Sequence, residues 1–346
     1  MKAAFLIEKG RLEVCEVPVP EISESDVLIK LEYASICGTD LKIYNNGHFK
    51  LAPGQRRVLG HEVFGTIAEI GSAVRDWSVG QRVAVTPNIG CGKCKYCLRG
   101  ANQMCPEYEA FGITLDGGFQ EFMKVPGWTI ARGNLFNIPD EIDSSSASLL
   151  EPFSCCHSGQ KPLDIKPDDV VLIIGAGPIG CLHTVLAKRA GSRKVIVANT
   201  KNPRLEIAKK CGADVTVNVA EKNLREEVLE ATKGDGADVI VTAVAKPDVI
   251  TESITMLSRY GRLNVFSGLN NQSPPVIDVN SLHYKAQVLT GTTGSSNLDF
   301  LETIQIAREN RIPFSELITG IYSLEDINDA FNYAASGAGM KTVIKF

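Results

Sequence analysis

At 346 residues the chain is longer than a single hydrophobic core usually serves, so two domains are expected. A composition of 44% hydrophobic and 22% charged residues is that of an ordinary globular protein and excludes a disordered or fibrous chain. A net charge of -4 argues against a nucleic-acid partner, and the longest fully apolar runs, such as Val170 to Gly177, are far too short to span a bilayer.

The N-terminus reads Met1-Lys2-Ala3-Ala4-Phe5, soon followed by Glu8 and Lys9, with no apolar signal-peptide core. Together with ten cysteines this points to the cytoplasm, where thiols stay reduced and clustered cysteines indicate metal. Residues 1 to about 150 read as short strands broken by turns at Pro18, Pro20, Pro53, Gly54, Gly71 and Gly80. Asp26 to Tyr33 alternates, with Val27, Ile29, Leu31 and Tyr33 on one face and Leu28, Lys30 and Glu32 on the other.

Directly after this strand comes Cys37-Gly38-Thr39-Asp40, and then Gly60-His61-Glu62. A thiolate, an imidazole and a carboxylate are ligand types that zinc prefers, and a catalytic zinc takes three protein ligands and leaves one position open. Thr39 adds a hydroxyl suited to passing a proton to or from something bound there. Asp40 is placed to accept from the second ring nitrogen of His61 and so fix its tautomer.

Cys91, Cys94, Cys97 and Cys105 follow at C-x2-C-x2-C-x7-C spacing, interleaved with Gly90, Gly92, Gly100, Lys93 and Lys95. Four thiolates on so short a loop close a tetrahedral shell, which predicts a structural zinc; a compact iron–sulfur cluster is the alternative occupant.

From about residue 165 the pattern changes to buried-strand runs: Val170 to Ile174, Lys194 to Ala198, Val215 to Val219, Asp238 to Ala243, Arg262 to Ser267 and Ala286 to Thr290. Helical stretches such as Ile179 to Arg189 and Pro203 to Cys211 intervene, which predicts a doubly wound parallel sheet. Gly175-Ala176-Gly177-Pro178-Ile179-Gly180 fits G-x-G-x-x-G between a strand and a helix, the context for dinucleotide binding. The second strand ends in Asn199 rather than an acid, followed by Thr200, Lys201 and Arg204. Without a carboxylate a 2′-phosphate is not repelled, so these residues lean toward NADP, although Asn199 also suits the bare ribose of NAD. Beyond Gly291, Leu298 to Glu309 reads as an amphipathic helix and Ser323-Leu324-Glu325-Asp326 as the capped start of another.

Taken together, these motifs resemble the zinc-dependent medium-chain alcohol dehydrogenase family over nearly the whole chain. Val79-Gly80-Gln81-Arg82-Val83 also falls in the family's order, and Glu151-Pro152-Phe153-Ser154 with His157 resembles its sorbitol and threonine dehydrogenase branch. The resemblance implies a GroES-like β-rich catalytic domain (1–155, with the zinc lobe at about 88–107), a Rossmann coenzyme domain (156–291) and a C-terminal segment (292–346) completing the first. It further implies that Glu151 joins the catalytic zinc site directly or through water, that Glu62 is a direct or alternative ligand, and that the protein is a homodimer or homotetramer assembled through its coenzyme domains.

Two departures stand out. Lys42 occupies the position of a relay histidine in many relatives, leaving His48 as a substitute, and Gly291-Thr292-Thr293-Gly294-Ser295 replaces an Arg-Tyr pair of sorbitol dehydrogenases. The expected activity is hydride transfer between a secondary alcohol of a polyol or sugar derivative and NAD or NADP. Lys42, Lys50, Arg56 and Arg57, with no acid between Asp40 and Glu62, raise a sugar phosphate or sugar acid as an alternative substrate, behind a neutral polyol. A threonine-type dehydrogenase and a non-enzymatic redox sensor on the same fold complete the alternatives.

Overall fold

The computed structural model describes every residue except 52–53, 270–272 and 310–311, so the turn expected at Pro53 lies outside the described residues. The chain forms two compact units: Met1–Ser154 with Ser295–Phe346, and Cys155–Gly294.

The first unit is built around the strand Val27–Ser35, which lies inside a seven-stranded sheet. On one side it pairs antiparallel with Glu62–Ile70, setting Ser35 opposite Glu62. On the other it pairs antiparallel with Lys341–Lys345, the last strand of the chain, setting Ser35 opposite Val343. Its alternation is imperfect, because Leu28 is buried along with Val27, Ile29 and Leu31, and only Lys30 faces solvent fully. A core of Ile29, Leu31, Ile43, Leu59, Ile67, Phe119 and Phe331 packs beneath this sheet. The C-terminal helix Asn297–Glu309 begins one residue before the expected Leu298. After a short helix at Phe314–Leu317, the one expected from Ser323 begins later, at Ile327: Ser323 Oγ donates to Asp326 Oδ2 at 2.7 Å, making a turn that precedes the helix rather than capping it.

The second unit carries a six-stranded parallel sheet in the order Val215–Asn218, Lys194–Asn199, Val170–Ile174, Ala237–Thr242, Leu257–Val265 and Val288–Gly291. Every residue of Val170–Ile174 is buried, as helices on both faces of a sheet require. The fifth strand starts at Leu257, five residues before the expected Arg262. There the pairing slips between Ala237 and Val239, and Tyr260 takes up a left-handed φ of 59° before Gly261, a bulge that resembles a turn in the sequence. Chain order across the sheet reverses between Val170–Ile174 and Ala237–Thr242, and the glycine loop leaves the sheet at that point.

Candidate active site

The strand Val27–Ser35 runs out at Ile36, and Cys37 caps the helix Gly38–Asn46. Asp40, fully buried in the first turn, joins the segments that carry the donors. Its Oδ2 accepts from the Cys37 N–H at 2.9 Å and its Oδ1 from the Gly60 N–H at 3.1 Å. His61 Nδ1 lies 3.3 Å from the same Oδ1, so the carboxylate orients the ring and leaves the other nitrogen to face the site. Gly60 has φ of 89°, and a Cβ there would meet the Phe119 ring at 3.0 Å, so only glycine seats His61 in this way.

Donor atoms of Cys37, His61 and Glu62 all lie within 4.8 Å of one another. Thr39, two residues after Cys37 in the first turn of that helix, is exposed. Burial works against a charged His61, but Asp40 and Cys37 outweigh it and raise its pKa well above 6.5. A pocket that draws a proton onto a buried imidazole attracts a cation, and soft thiolate with imidazole suits zinc.

Lys341 was not anticipated from the sequence. Its buried ammonium donates to Glu62 Oε1 at 2.6 Å and to the Ile36 carbonyl at 3.0 Å, and lies 2.5 Å from Glu62 Oε2. Ser35 Oγ donates to Glu62 Oε2. Burial opposes the charge on Lys341, but Glu62 first, then Cys37 and Glu151, raise its pKa above 10.5 and keep it cationic. Both carboxylate oxygens of Glu62 are therefore engaged by protein donors. Glu151, buried on the helix Leu150–Gln160, acts on Lys341 and completes the charge set of this pocket.

In the cysteine lobe the four sulfurs also lie within 4.8 Å of one another, with Cys94 at 3.6 Å from Cys97 and 3.9 Å from Cys105. Backbone N–H groups of Lys93 and Cys94 push the Cys91 thiol down to about 6, while burial lifts Cys97 to about 11. Four thiols at these separations fit a closed tetrahedral zinc shell.

In the second unit, the glycine loop leads from Val170–Ile174 into the helix Pro178–Arg189, with Gly177 at its N-cap and Pro178 at its first position. A Cβ on Gly180 would lie 1.7 Å from the Gly175 carbonyl, so helix and loop pack this closely only around glycine. Ile179 follows in the first turn. Asn199 Oδ1 accepts from the Ala176 N–H at 3.4 Å and its Nδ2 donates to the Lys201 carbonyl at 3.3 Å, tying the end of the second strand to the loop. Thr200 and Lys201 are exposed, and Arg204 reaches to 3.8 Å from where a Gly177 Cβ would stand.

The alcohol dehydrogenase GroES-like domain profile matches residues 23–139, and the zinc-binding dehydrogenase profile matches residues 178–309. The chain is 32% identical over 334 residues to the L-threonine 3-dehydrogenase of Vibrio parahaemolyticus serotype O3:K6, covering 95% of this chain and 94% of that protein. It is 31% identical over 336 residues to the sorbitol dehydrogenase of Bacillus subtilis strain 168, covering 96% and 93%. The chain is a zinc-dependent medium-chain dehydrogenase. Among solved structures, a protein described as a zinc-binding dehydrogenase from Sinorhizobium meliloti 1021, bound to NADP, superposes with a TM-score of 0.92 at 28% identity, over 100% of this chain and 99% of that one. An alcohol dehydrogenase of Escherichia coli CFT073 complexed with NADH does so at 0.91 and 29% identity, with the same coverage. Membership makes the protein an NAD(P)-dependent alcohol dehydrogenase and sets aside the non-enzymatic sensor.

Within this dehydrogenase the cationic loop is largely committed. Lys50 donates to the Tyr108 carbonyl and lies 3.6 Å over the Tyr108 ring. Arg56 donates to Cys15 Sγ at 3.3 Å and stacks on Phe5, while Arg57 is buried against Asp116 at 2.8 Å. Lys42 is exposed. His48 stacks on Phe49, and its Nδ1 accepts from the Lys50 N–H at 3.2 Å. Thr292 belongs to the coenzyme unit, where it and Thr290 accept from Asn264 Nδ2 at 2.9 and 3.0 Å.

Proposed function

We propose that this dehydrogenase oxidises a secondary alcohol of a neutral polyol or related sugar derivative, reversibly, with NADP as the preferred coenzyme. The observation that carries the reading is the convergence of Cys37, His61 and the helix that bears exposed Thr39. Cys37 and His61 would hold the zinc, with Glu151 reaching it directly or through water, and Glu62 staying with Lys341 and Ser35 while that pair is intact. A zinc held there would supply a Lewis acid for an alcohol oxygen, and a nicotinamide coenzyme would supply the hydride acceptor. Asp40 orients His61 and pins Cys37, and Thr39 takes the hydroxyl proton and passes it toward solvent. The test is coenzyme reduction over a panel of polyols, sugar phosphates, sugar acids and threonine, each with NAD⁺ and NADP⁺. Turnover confined to anionic substrates, or to threonine, would overturn the polyol assignment. The commitment of Lys50, Arg56 and Arg57 to other partners weighs against an anionic substrate.

The NADP preference rests on Asn199 in place of an acid and on Arg204 directed at the glycine loop. Asn199→Asp restores the repulsion of a 2′-phosphate and is expected to lower kcat/KM for NADP⁺ relative to NAD⁺ by about tenfold, the equivalent of 1.4 kcal/mol. No change in that ratio would refute the role of Asn199.

We further propose a homo-oligomer, dimer or tetramer, built through the coenzyme unit. Its sheet ends in the edge strand Val288–Gly291, where Val288 and Leu289 are exposed, and the unit also exposes Val276, Val279 and Tyr284. An open apolar edge of this kind invites strand pairing with a second copy. Light scattering reads the outcome: Leu289→Lys is expected to shift the protein toward monomer.

A further inference from the structure

The cysteine lobe has almost no apolar interior of its own. Of residues 91–105 only Cys105 is buried. What ties it to the rest of the first unit is Asn102, three positions before Cys105. Asn102 Nδ2 donates to the Asn88 carbonyl at 2.7 Å and to Asn297 Oδ1 at 3.3 Å, while its Oδ1 accepts from the Asn297 N–H at 2.9 Å. Asn297 is fastened in turn, its Oδ1 accepting from Thr86 Oγ1 at 2.8 Å and its Nδ2 donating to the Arg132 carbonyl at 2.9 Å. The segment entering Asn297 is fully engaged too: Ser296 donates to Asp299 Oδ2 through both N–H and Oγ, at 3.0 and 2.8 Å.

Ser295, two residues before Asn297, has its Oγ 2.6 Å from Ser154 Oγ. Ser154 Oγ also donates to the Glu151 carbonyl at 2.7 Å. Ser154, Ser295, Ser296 and Glu151 are all buried. Hydrogen bonds at Asn102–Asn297 and at Ser295–Ser154, joined by the backbone from Ser295 to Asn297, thus connect the lobe to the carbonyl of Glu151, whose carboxylate acts on Lys341 beside Glu62. Buried polar chains are costly to leave half satisfied, so displacing one end displaces or strains the other.

We propose that the cysteine lobe positions Glu151, through Asn102, Asn297, Ser295 and Ser154, and so tunes how tightly the Cys37–His61 site holds its metal. Asn102, Asn297, Ser295 and Ser154 are positioning residues. The inference rests on the zinc-site reading of Cys37, His61 and Glu151.

The test is metal release from the full-length, zinc-loaded protein into the chelator 4-(2-pyridylazo)resorcinol, followed by absorbance. Cys37→Ser and Cys94→Ser assign the release phases of the two sites. Ser295→Ala and Asn102→Ala are each expected to accelerate the Cys37-site phase by about tenfold, the low end of what losing an orienting partner costs a metal site. Ser295→Thr, which retains the hydroxyl, is expected to stay near the parent rate. A purely structural role would lower the unfolding midpoint without changing the Cys37-site phase. Folded Ser295→Ala with an unchanged phase overturns the coupling, and it decides alone if Asn102→Ala does not fold. If Cys37→Ser removes no release phase, the zinc-site reading itself fails, which is a separate result.

Discussion

The cysteine lobe and the Cys37–His61 pocket of this dehydrogenase use overlapping chemistry in opposite ways. The lobe collects four like ligands from a short loop, mostly near the surface, where backbone N–H groups of Lys93 and Cys94 favour a thiolate at Cys91. The Cys37–His61 pocket collects unlike groups from distant parts of the chain beside a buried cation, Lys341, which lies 279 positions from its partner Glu62. The first arrangement is a closed shell with nothing left over. The second sets the donors of Cys37 and His61 beside a carboxylate, Glu62, that is held by a buried ammonium. The difference is the one expected between a metal that would hold structure and one that would do chemistry.

The strongest way to break this contrast is at the reacting metal. Cys37→Ala or His61→Ala is expected to lower kcat/KM by on the order of a thousandfold or more, since metal polarisation contributes several kcal/mol, while the circular dichroism spectrum is retained. Unchanged turnover would sink the assignment.

Next comes the buried cation. Lys341→Met leaves Glu62 buried without its counter-charge and is expected to cost about 3–5 kcal/mol in denaturant unfolding. Glu62→Gln in the same background should recover part of that loss, because it removes the orphaned charge. A loss below about 1 kcal/mol, the range of exposed pairs, would mean that Glu62 finds another partner.

Cys94→Ser sharpens the other half of the comparison. It opens the tetrahedral shell, and is expected to halve the zinc content and lower Tm by at least about 5 °C, with turnover by the surviving folded fraction falling far less than in Cys37→Ala. The smallest effect is reserved for the loop cations. Lys50→Ala is expected to change kcat/KM for anionic and neutral substrates alike by less than about twofold, because its ammonium is already bound to Tyr108 in a contact worth roughly 1 kcal/mol or less.

The legible parts of the molecule are those whose partners lie close together in the chain. The cysteine spacing, the strand–glycine–helix order at Val170 to Gly180, and Asp40 three residues from Cys37 all act within a turn or a loop, so residue type and spacing specify the geometry. The early start of Leu257–Val265 and the late start of Ile327–Ser336 were not legible, since a bulge at Tyr260 and a turn at Ser323 carry the same residue types as a strand break and a helix cap. Nor does the run Lys341-Thr342-Val343-Ile344-Lys345 announce that one of its lysines is a buried counter-ion; by pattern it is an ordinary strand with a charged end. The sequence alone determined the chemistry available: thiolate, imidazole, carboxylate and a phosphate-binding turn. Tertiary structure decided who meets whom, because insertion of the final strand beside Val27–Ser35 puts Lys341 against Glu62 and engages that carboxylate with a buried ammonium. Pairing across 279 residues is a matter of sheet register, which no local spacing encodes.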